Sequence, residues 1–461
     1  MSRRILIGLV AVLVIAAGGF VALAWRAAIA PITPPAASSF APDLIARGEV
    51  LAGAGYCGTC HTAKGGKPYA GGYAMATGFG TIYSTNITPD PLTGIGSYSE
   101  AAFRRALHEG VARDGSHLFP AFPYDHFTKL TDDDVAALYA FMMTRAPVTA
   151  STPANTLPFP LNIRAFQAGW KLLFFRPGRF QADPARDPVW TRGAYLAEGI
   201  SHCGACHTPR NLLGAEESRH PYAGAAIDNW LAPPLTQASP VPAPWTREEF
   251  FAYLRSGVSR FHGTAAGPMS PVIHDGLVKL PDADIQALAV YFADLGPAAT
   301  GGTAAQPATL QSTAPQAAAQ PAAAQPAAIA PALAADRLGV GQQYDPAARL
   351  YTAACASCHY NSGDTVNPLR PDLALNSAVS LDEPTNLIRV ILSGIGAKEG
   401  APGIVMPGFG HGFNDADIAR IAGYIRATRT KEAPWPDLEK KVAAIRAQTN
   451  EQASQQASQQ E

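Results

Sequence analysis

Six cysteines occur in the chain, and all six fall in three short motifs of one design: YCGTCHT at 56–62, HCGACHT at 202–208 and ACASCHY at 354–360. Each holds two thiols separated by two residues, with a histidine directly after the second: Cys57, Cys60 and His61; Cys203, Cys206 and His207; Cys355, Cys358 and His359. Two sulfurs at that separation reach the two vinyl groups on one edge of a haem, and the histidine is then held under the iron as proximal ligand. A dithiol redox pair, a zinc site or a structural disulfide would use similar cysteines. None of these explains a histidine at the same offset three times with no cysteine left over. The motifs predict three covalently bound haem c groups.

A haem with one protein ligand binds gases or substrates, whereas one with two is normally an electron carrier. In small cytochromes c the second ligand lies on the loop before the last helix. GPMSPV places Met269 there and IVMPGF places Met406, out of only six methionines in the chain. The matching loop of the first motif, HLFPAFPYDHFTKL at 117–130, carries Phe122 where a methionine is expected. Phenylalanine cannot bind iron. His126, four residues on, is the expected ligand, with His117, His108, Met75 or an open site as alternatives. Met142 and Met143 read as packing, and His202, His220, His262, His274 and His411 as structural or solvated.

Three matching frames must position these residues. Short helical leads, RGEVLAGAGYC, RGAYLAEGISHC and ARLYTAACASC, precede the motifs. Far downstream come closing helices with a shared start, LTDDDVAALYAFM at 130–142, LPDADIQALAVYF at 280–292 and FNDADIARIAGYI at 413–425. Thr131 and Asn414 read as N-caps, followed by aspartates that suit the helix dipole. Amphipathic stretches lie between, and strand signals are sparse. Cys57 and Cys203 are 146 residues apart, and Cys203 and Cys355 are 152 apart, close to the roughly 150 residues expected of one domain.

The expected divisions are an anchor or signal segment at 1–35, haem domains at 36–150, 151–296 and 341–436, a linker at 297–340 and a polar tail at 437–461. Within the linker, residues 297–335 are almost all Ala, Pro, Gln, Gly, Ser and Thr, which cannot bury enough apolar surface to order themselves. The tail reads as a solvated helix that frays. At the N-terminus, ILIGLVAVLVIAAGGFVALAW (5–25) has no charge and is long enough for a transmembrane helix, with Arg3 and Arg4 favouring a cytoplasmic start. A cleaved signal peptide ending at ALA (22–24) is the alternative. Both place the haem domains on the periplasmic side of the inner membrane. The net charge of −1 and the lack of a basic stripe give no support for nucleic acid as a partner.

The three motifs, together with GTIYSTNITPD (80–90), PAFPYDHFTKLTDDD (120–134) and FRPGRFQADPARDPVWTRGAYLAEG (175–199), make the chain resemble the tri-haem cytochrome c subunits of bacterial membrane-bound dehydrogenases. The resemblance covers about 35–430. It implies a mainly α fold of three tandem class I cytochrome c-like domains, here with an N-terminal transmembrane helix. It also implies an electron-transfer role, without substrate chemistry of its own, between a catalytic subunit and ubiquinone. Members paired with quinoprotein or flavoprotein alcohol or sugar dehydrogenases usually carry methionine at the place of Phe122. The departure, followed by PYDHF, is closer to cytochromes paired with molybdenum-hydroxylase-type aldehyde or N-heterocycle dehydrogenases, which add a molybdopterin subunit and a small iron–sulfur subunit. The segment FQAGWKLLFFRPGRF (166–180) interleaves aromatic and basic residues and reads either as a membrane-interface element or as an inter-domain strap. A haem enzyme using an open first haem is the reading from a different class.

Overall fold

Helix starts are set by short polar side chains. Ser99 accepts from the Ala102 N–H, Thr131 from Asp134, Asp187 from Val189 and Trp190, Thr246 from Glu249 and Asn414 from Asp417. Each satisfies an N–H that the first helical turn leaves without an internal partner. The expected caps Thr131 and Asn414 are thus in place. The computed structural model describes residues 3–296, 345–359, 372–396 and 405–458. The linker at 297–340 lies outside the described residues.

Those residues form a mainly helical chain in which one order of elements recurs. The first frame runs from the lead helix Pro42–Ala54 through the motif turn Cys57–Cys60, a hairpin of Ala74–Thr77 with Gly80–Tyr83, and the helix Glu100–Glu109, to the closing helix Asp132–Met143. The second runs through Pro188–Glu198, Gly204–His207, a hairpin of Ala225–Ile227 with Trp230–Ala232, Arg247–Ser256 and Asp282–Leu295. The third has Pro346–Ala354, Ala356–His359, Thr385–Ser393 and Asp415–Arg429.

The chain divides into two compact units. One comprises Met1–Ala205, Arg210–Arg219 and Asp275–Asp284, and the other Cys206–Pro209, His220–His274 and Ile285–Glu461. In the first unit the lead helix crosses the closing helix at Gly48. A Cβ there would stand 2.0 Å from the Ala137 carbonyl oxygen and 2.7 Å from the Phe141 Cβ, so only glycine allows the approach. Buried Asp134 locks the crossing. It takes a 2.7 Å ion pair from Arg47 and a hydrogen bond from the Tyr195 hydroxyl.

In the second unit the third frame has its own core, built on Tyr351, Ile388, Ile391, Ile418, Ile421 and Ile425. Asn386 joins it to the second frame's hairpin, accepting from the Leu231 N–H at 2.9 Å and donating to the Leu231 carbonyl at 2.8 Å. The tail differs from expectation. The helix Leu438–Ser458 puts Val442 and Ile445 into this core, and Arg446 bonds Asp415 at 2.6 Å. Apolar residues three apart gave it a buried face within a sequence polar on average.

The expected transmembrane helix is not supported: among the described residues no helix is long and apolar enough to cross a membrane. The N-terminal helix Arg3–Ala24 begins with two arginines, and its far end touches the rest of the first unit at two points. Phe20 packs on Phe166 with ring centres 5.4 Å apart, and the Ala24 carbonyl accepts from His117 Nε2 at 2.9 Å.

The 166–180 segment forms the helix Gln167–Phe174 and then an extended strap. Most of its aromatics face protein: Trp170 and Phe175 pack on Tyr124, and Phe180 on Tyr195. Leu172 and Leu173 remain 61% and 60% exposed.

Candidate haem-attachment sites

Among the described residues no motif cysteine is joined in a disulfide, which counts against the disulfide alternative. Burial first, then the neighbouring Cys60, pushes Cys57 up to about 12. Burial and Cys358 push Cys355 up to about 11. A redox dithiol needs the opposite shift, toward a stabilised thiolate. Cys57 and Cys355 are thus held as neutral thiols, the form compatible with thioether formation.

The motif histidines are oriented from behind. His61 Nδ1 donates to the Thr85 carbonyl at 2.7 Å, and His207 Nδ1 donates to the Pro233 carbonyl at 2.8 Å. A hydrogen bond at Nδ1 fixes the ring and its tautomer and leaves the Nε2 lone pair for a metal. Burial lowers the pKa of both, partly offset by those carbonyls, so each ring is neutral, as an iron ligand must be. The donor set fits a haem at the first two motifs. At the third, the Tyr351 hydroxyl donates to the His359 carbonyl at 3.3 Å. The residues following it, 360–371, lie outside the described residues.

On the distal side the frames differ. Met269 opens the short turn Met269–Pro271 and is partly buried. Met406 forms an isolated antiparallel bridge with Ile395. In the first frame Phe122 packs edge-on against Phe127. His126 donates from Nδ1 to the Glu198 carbonyl and from Nε2 to Glu216 Oε1, both at 2.9 Å. Both acceptors are oxygens, so both ring nitrogens carry hydrogen. Burial opposes that charge, but Glu216 and Asp125 outweigh it and raise the His126 pKa. Burial would likewise raise Glu216, and the His126 contact overrides it. An imidazolium has no lone pair for iron, so ligation by His126 requires it to leave Glu216 and lose a proton. The ligand atoms of Asp125, His126 and Glu216 lie within 4.8 Å of one another, and the His126 charge already fills that cluster.

The alternatives are also placed. His117 is held by the Ala24 carbonyl and by Lys171 Nζ at 3.1 Å. Met75 lies on the hairpin opposite Ile82. His108 is buried in the helix Glu100–Glu109.

One contact was missed in the sequence because its histidine read as structural. Tyr56 and His202 each stand immediately before the first cysteine of their motifs, and both adopt positive φ, 35° and 32°. The Tyr56 hydroxyl lies 3.1 Å from His202 Nδ1, and the rings are 4.7 Å apart. Burial, then the His126 charge, hold His202 down to about 3, so it is neutral. Two equivalent shoulders of two attachment motifs therefore meet directly. The signal was their identical offset from the cysteines.

A cytochrome c family model matches residues 45–146, and one for subunit III of cbb3-type cytochrome c oxidase matches 342–425. The chain is 42% identical over 92% of its length to a nicotinate dehydrogenase subunit of Pseudomonas putida, but spans only 34% of that protein. It is 38% identical to the fructose dehydrogenase cytochrome subunit of Gluconobacter japonicus, covering 86% of this chain and 81% of the other. With the gluconate 2-dehydrogenase cytochrome c subunit of Pantoea cypripedii it shares 37% identity, over 89% of this chain and 91% of the other.

Proposed function

Because the chain belongs to the cytochrome c subunits of dehydrogenase complexes, we propose that it holds three haem c groups and relays electrons from a catalytic subunit to ubiquinone. It is an electron-transfer subunit; the haem count, the partner's cofactor and the acceptor are the finer parts of the proposal. His61, His207 and His359 serve as proximal ligands, and Met269 and Met406 as distal ones. The observation that carries the reading is the pair of motif histidines with Nδ1 bound to a carbonyl and Nε2 left for iron. Haem supplies reversible one-electron chemistry at iron. The chain's own part is to orient the imidazoles, keep them neutral and bring attachment segments together, as Tyr56 and His202 do.

The partner we favour is a molybdopterin dehydrogenase with an iron–sulfur subunit. Phe122 followed by PYDHF, and the 42% identity to a nicotinate dehydrogenase subunit, support it. A quinoprotein or flavoprotein partner is the alternative, supported by the fructose and gluconate relatives. The site of action is the periplasmic face of the inner membrane. Co-purification from native membranes tests the partner: a molybdenum-containing subunit is expected, and a flavin or quinone cofactor instead overturns that choice.

A second reading has one observation in its favour. Phe122 cannot ligate, and His126 is bonded through both nitrogens, so a haem in the first frame is a candidate to bind small molecules. Optical spectra with and without carbon monoxide separate the readings. A carrier leaves all its haems low-spin and indifferent to carbon monoxide, whereas a first-frame haem enzyme binds it.

A further inference from the structure

The outer face of the helix Glu100–Glu109 borders a cavity of about 460 Å³, within the range of small-ligand sites. Its wall includes Arg104, Arg105, His108, Thr128 and Arg179, with Glu109 as its acidic member. All belong to the first compact unit.

Two buried nitrogens of these residues, Arg104 Nε and Arg105 Nε, have no hydrogen-bond partner, and both ring nitrogens of buried His108 fall short of full hydrogen-bond geometry, its interaction with the Leu130 backbone included. Buried polar atoms are nearly always paired, and leaving one unmade is costly. His108 is 4% exposed, and its nearest acidic group, Asp132 Oδ1, is 3.9 Å away. Burial, then Arg179 and Arg104 against the opposing pull of Asp132, hold it near about 4, so it faces the cavity region as a neutral donor–acceptor. The guanidinium groups are fixed elsewhere. Arg104 bonds Glu100 at 2.8 Å, Arg179 bonds Asp132 at 2.9 Å and the Thr128 carbonyl at 3.1 Å, and Arg105 bonds the Ala27 carbonyl at 2.6 Å. Glu100 and Asp132 are themselves largely solvated, so their charges are screened where the buried donors are not.

Donors of this kind match a phosphate group, which offers several acceptor oxygens and a charge opposite to arginine. The surroundings favour one source. The strap that brings Arg179 to the cavity continues directly from the helix Gln167–Phe174, whose Leu172 and Leu173 are exposed. Arg176 folds back on that helix end, donating to the Leu172 and Phe175 carbonyls at 3.2 and 3.0 Å. An exposed apolar pair a few residues along the chain from a basic cavity matches a surface that rests on lipid, with side chains in the acyl boundary and cations at the headgroups.

We propose that this cavity binds the phosphate of an anionic phospholipid headgroup, with Leu172 and Leu173 entering the adjoining acyl layer. The test uses the purified, haem-loaded full chain and sedimentation with vesicles of phosphatidylglycerol or of phosphatidylcholine. The ratio of the two affinities removes apolar insertion common to both. Each of Arg179→Gln and Arg104→Gln is expected to lower phosphatidylglycerol binding about fivefold and to leave phosphatidylcholine binding unchanged. His108→Asn, a smaller change, is expected to lower the same ratio, and the haem spectrum reports that each variant is folded. An unchanged ratio in Arg179→Gln and Arg104→Gln overturns the proposal. Saturable binding of inorganic phosphate that is lost in those variants, with vesicle binding unaffected, overturns the lipid source.

Discussion

The first and second haem frames are built alike until one loop. In each, an arginine of the lead helix grips an aspartate of the closing helix, Arg47 with Asp134 at 2.7 Å and Arg192 with Asp284 at 2.8 Å. In each, the motif histidine gives Nδ1 to a backbone carbonyl. The loops then part: the second offers Met269, and the first offers Phe122 and a His126 charge-paired to Glu216. Under the proposed function, the frame would prepare the proximal side of a haem by repetition, and the loop would decide the distal side. The third frame shows that the arginine grip is dispensable, since Asp417 there pairs with Arg420 within its own helix at 3.2 Å.

The largest way to sharpen the contrast is at the distal positions. Met269→Ala is expected to convert one haem from low spin to a high-spin form that binds carbon monoxide, whereas Phe122→Ala is expected to leave the spin state of every haem unchanged. Magnetic circular dichroism reads both. A thioether stabilises ferrous iron, so the centre without one, in the first frame, should titrate at the lowest potential of the set.

Next comes the helix crossing. Gly48→Ala forces a Cβ to within 2.0 Å of the Ala137 carbonyl and should cost about 3 kcal/mol in denaturant unfolding. The grip should then grade by burial. Asp134 is nearly inaccessible and also accepts from Tyr195, whereas Asp284 is more open. Asp134→Ala is expected to cost about 2 kcal/mol and Asp284→Ala about 1 kcal/mol. Equal costs would remove this distinction between the frames.

The Thr131 and Asn414 caps were legible because they live in side-chain types at fixed offsets, as do the motif residues and methionine loops from which the haem sites are proposed. The rest depends on what backbone folding brings together. No side-chain pattern marks the Thr85 or Pro233 carbonyl as the partner of a motif histidine. His202 read as bland because its role is a contact with Tyr56 from another part of the chain. The tail looked solvated on average composition, yet Val442 and Ile445 are buried. The apolar N-terminal run read as a membrane span because length and hydropathy take no account of Phe20 and Ala24 being engaged by Phe166 and His117.

A further expected effect, comparable with the largest above, concerns the buried lysine of the helix Gln167–Phe174, which packs against the first frame. Lys171 is buried, donating to the Glu109 and Gly110 carbonyls at 2.6 Å. Burial, then Arg26, bring its pKa down to about 7 against 10.5 ordinarily. Between those values the unfolded chain binds the extra proton, so stability should rise with pH from about 7 toward 10.5. Lys171→Met should flatten that rise, as measured by thermal unfolding across the window.

Each of the three motifs is held here to carry a covalent haem, and the electron-relay role stands on that. Intact-mass measurement of the chain matured with its haem-attachment machinery tests it directly. Three haem additions per chain are predicted, with Cys203→Ala/Cys206→Ala reduced to two. A wild-type chain carrying one haem or none would contradict it.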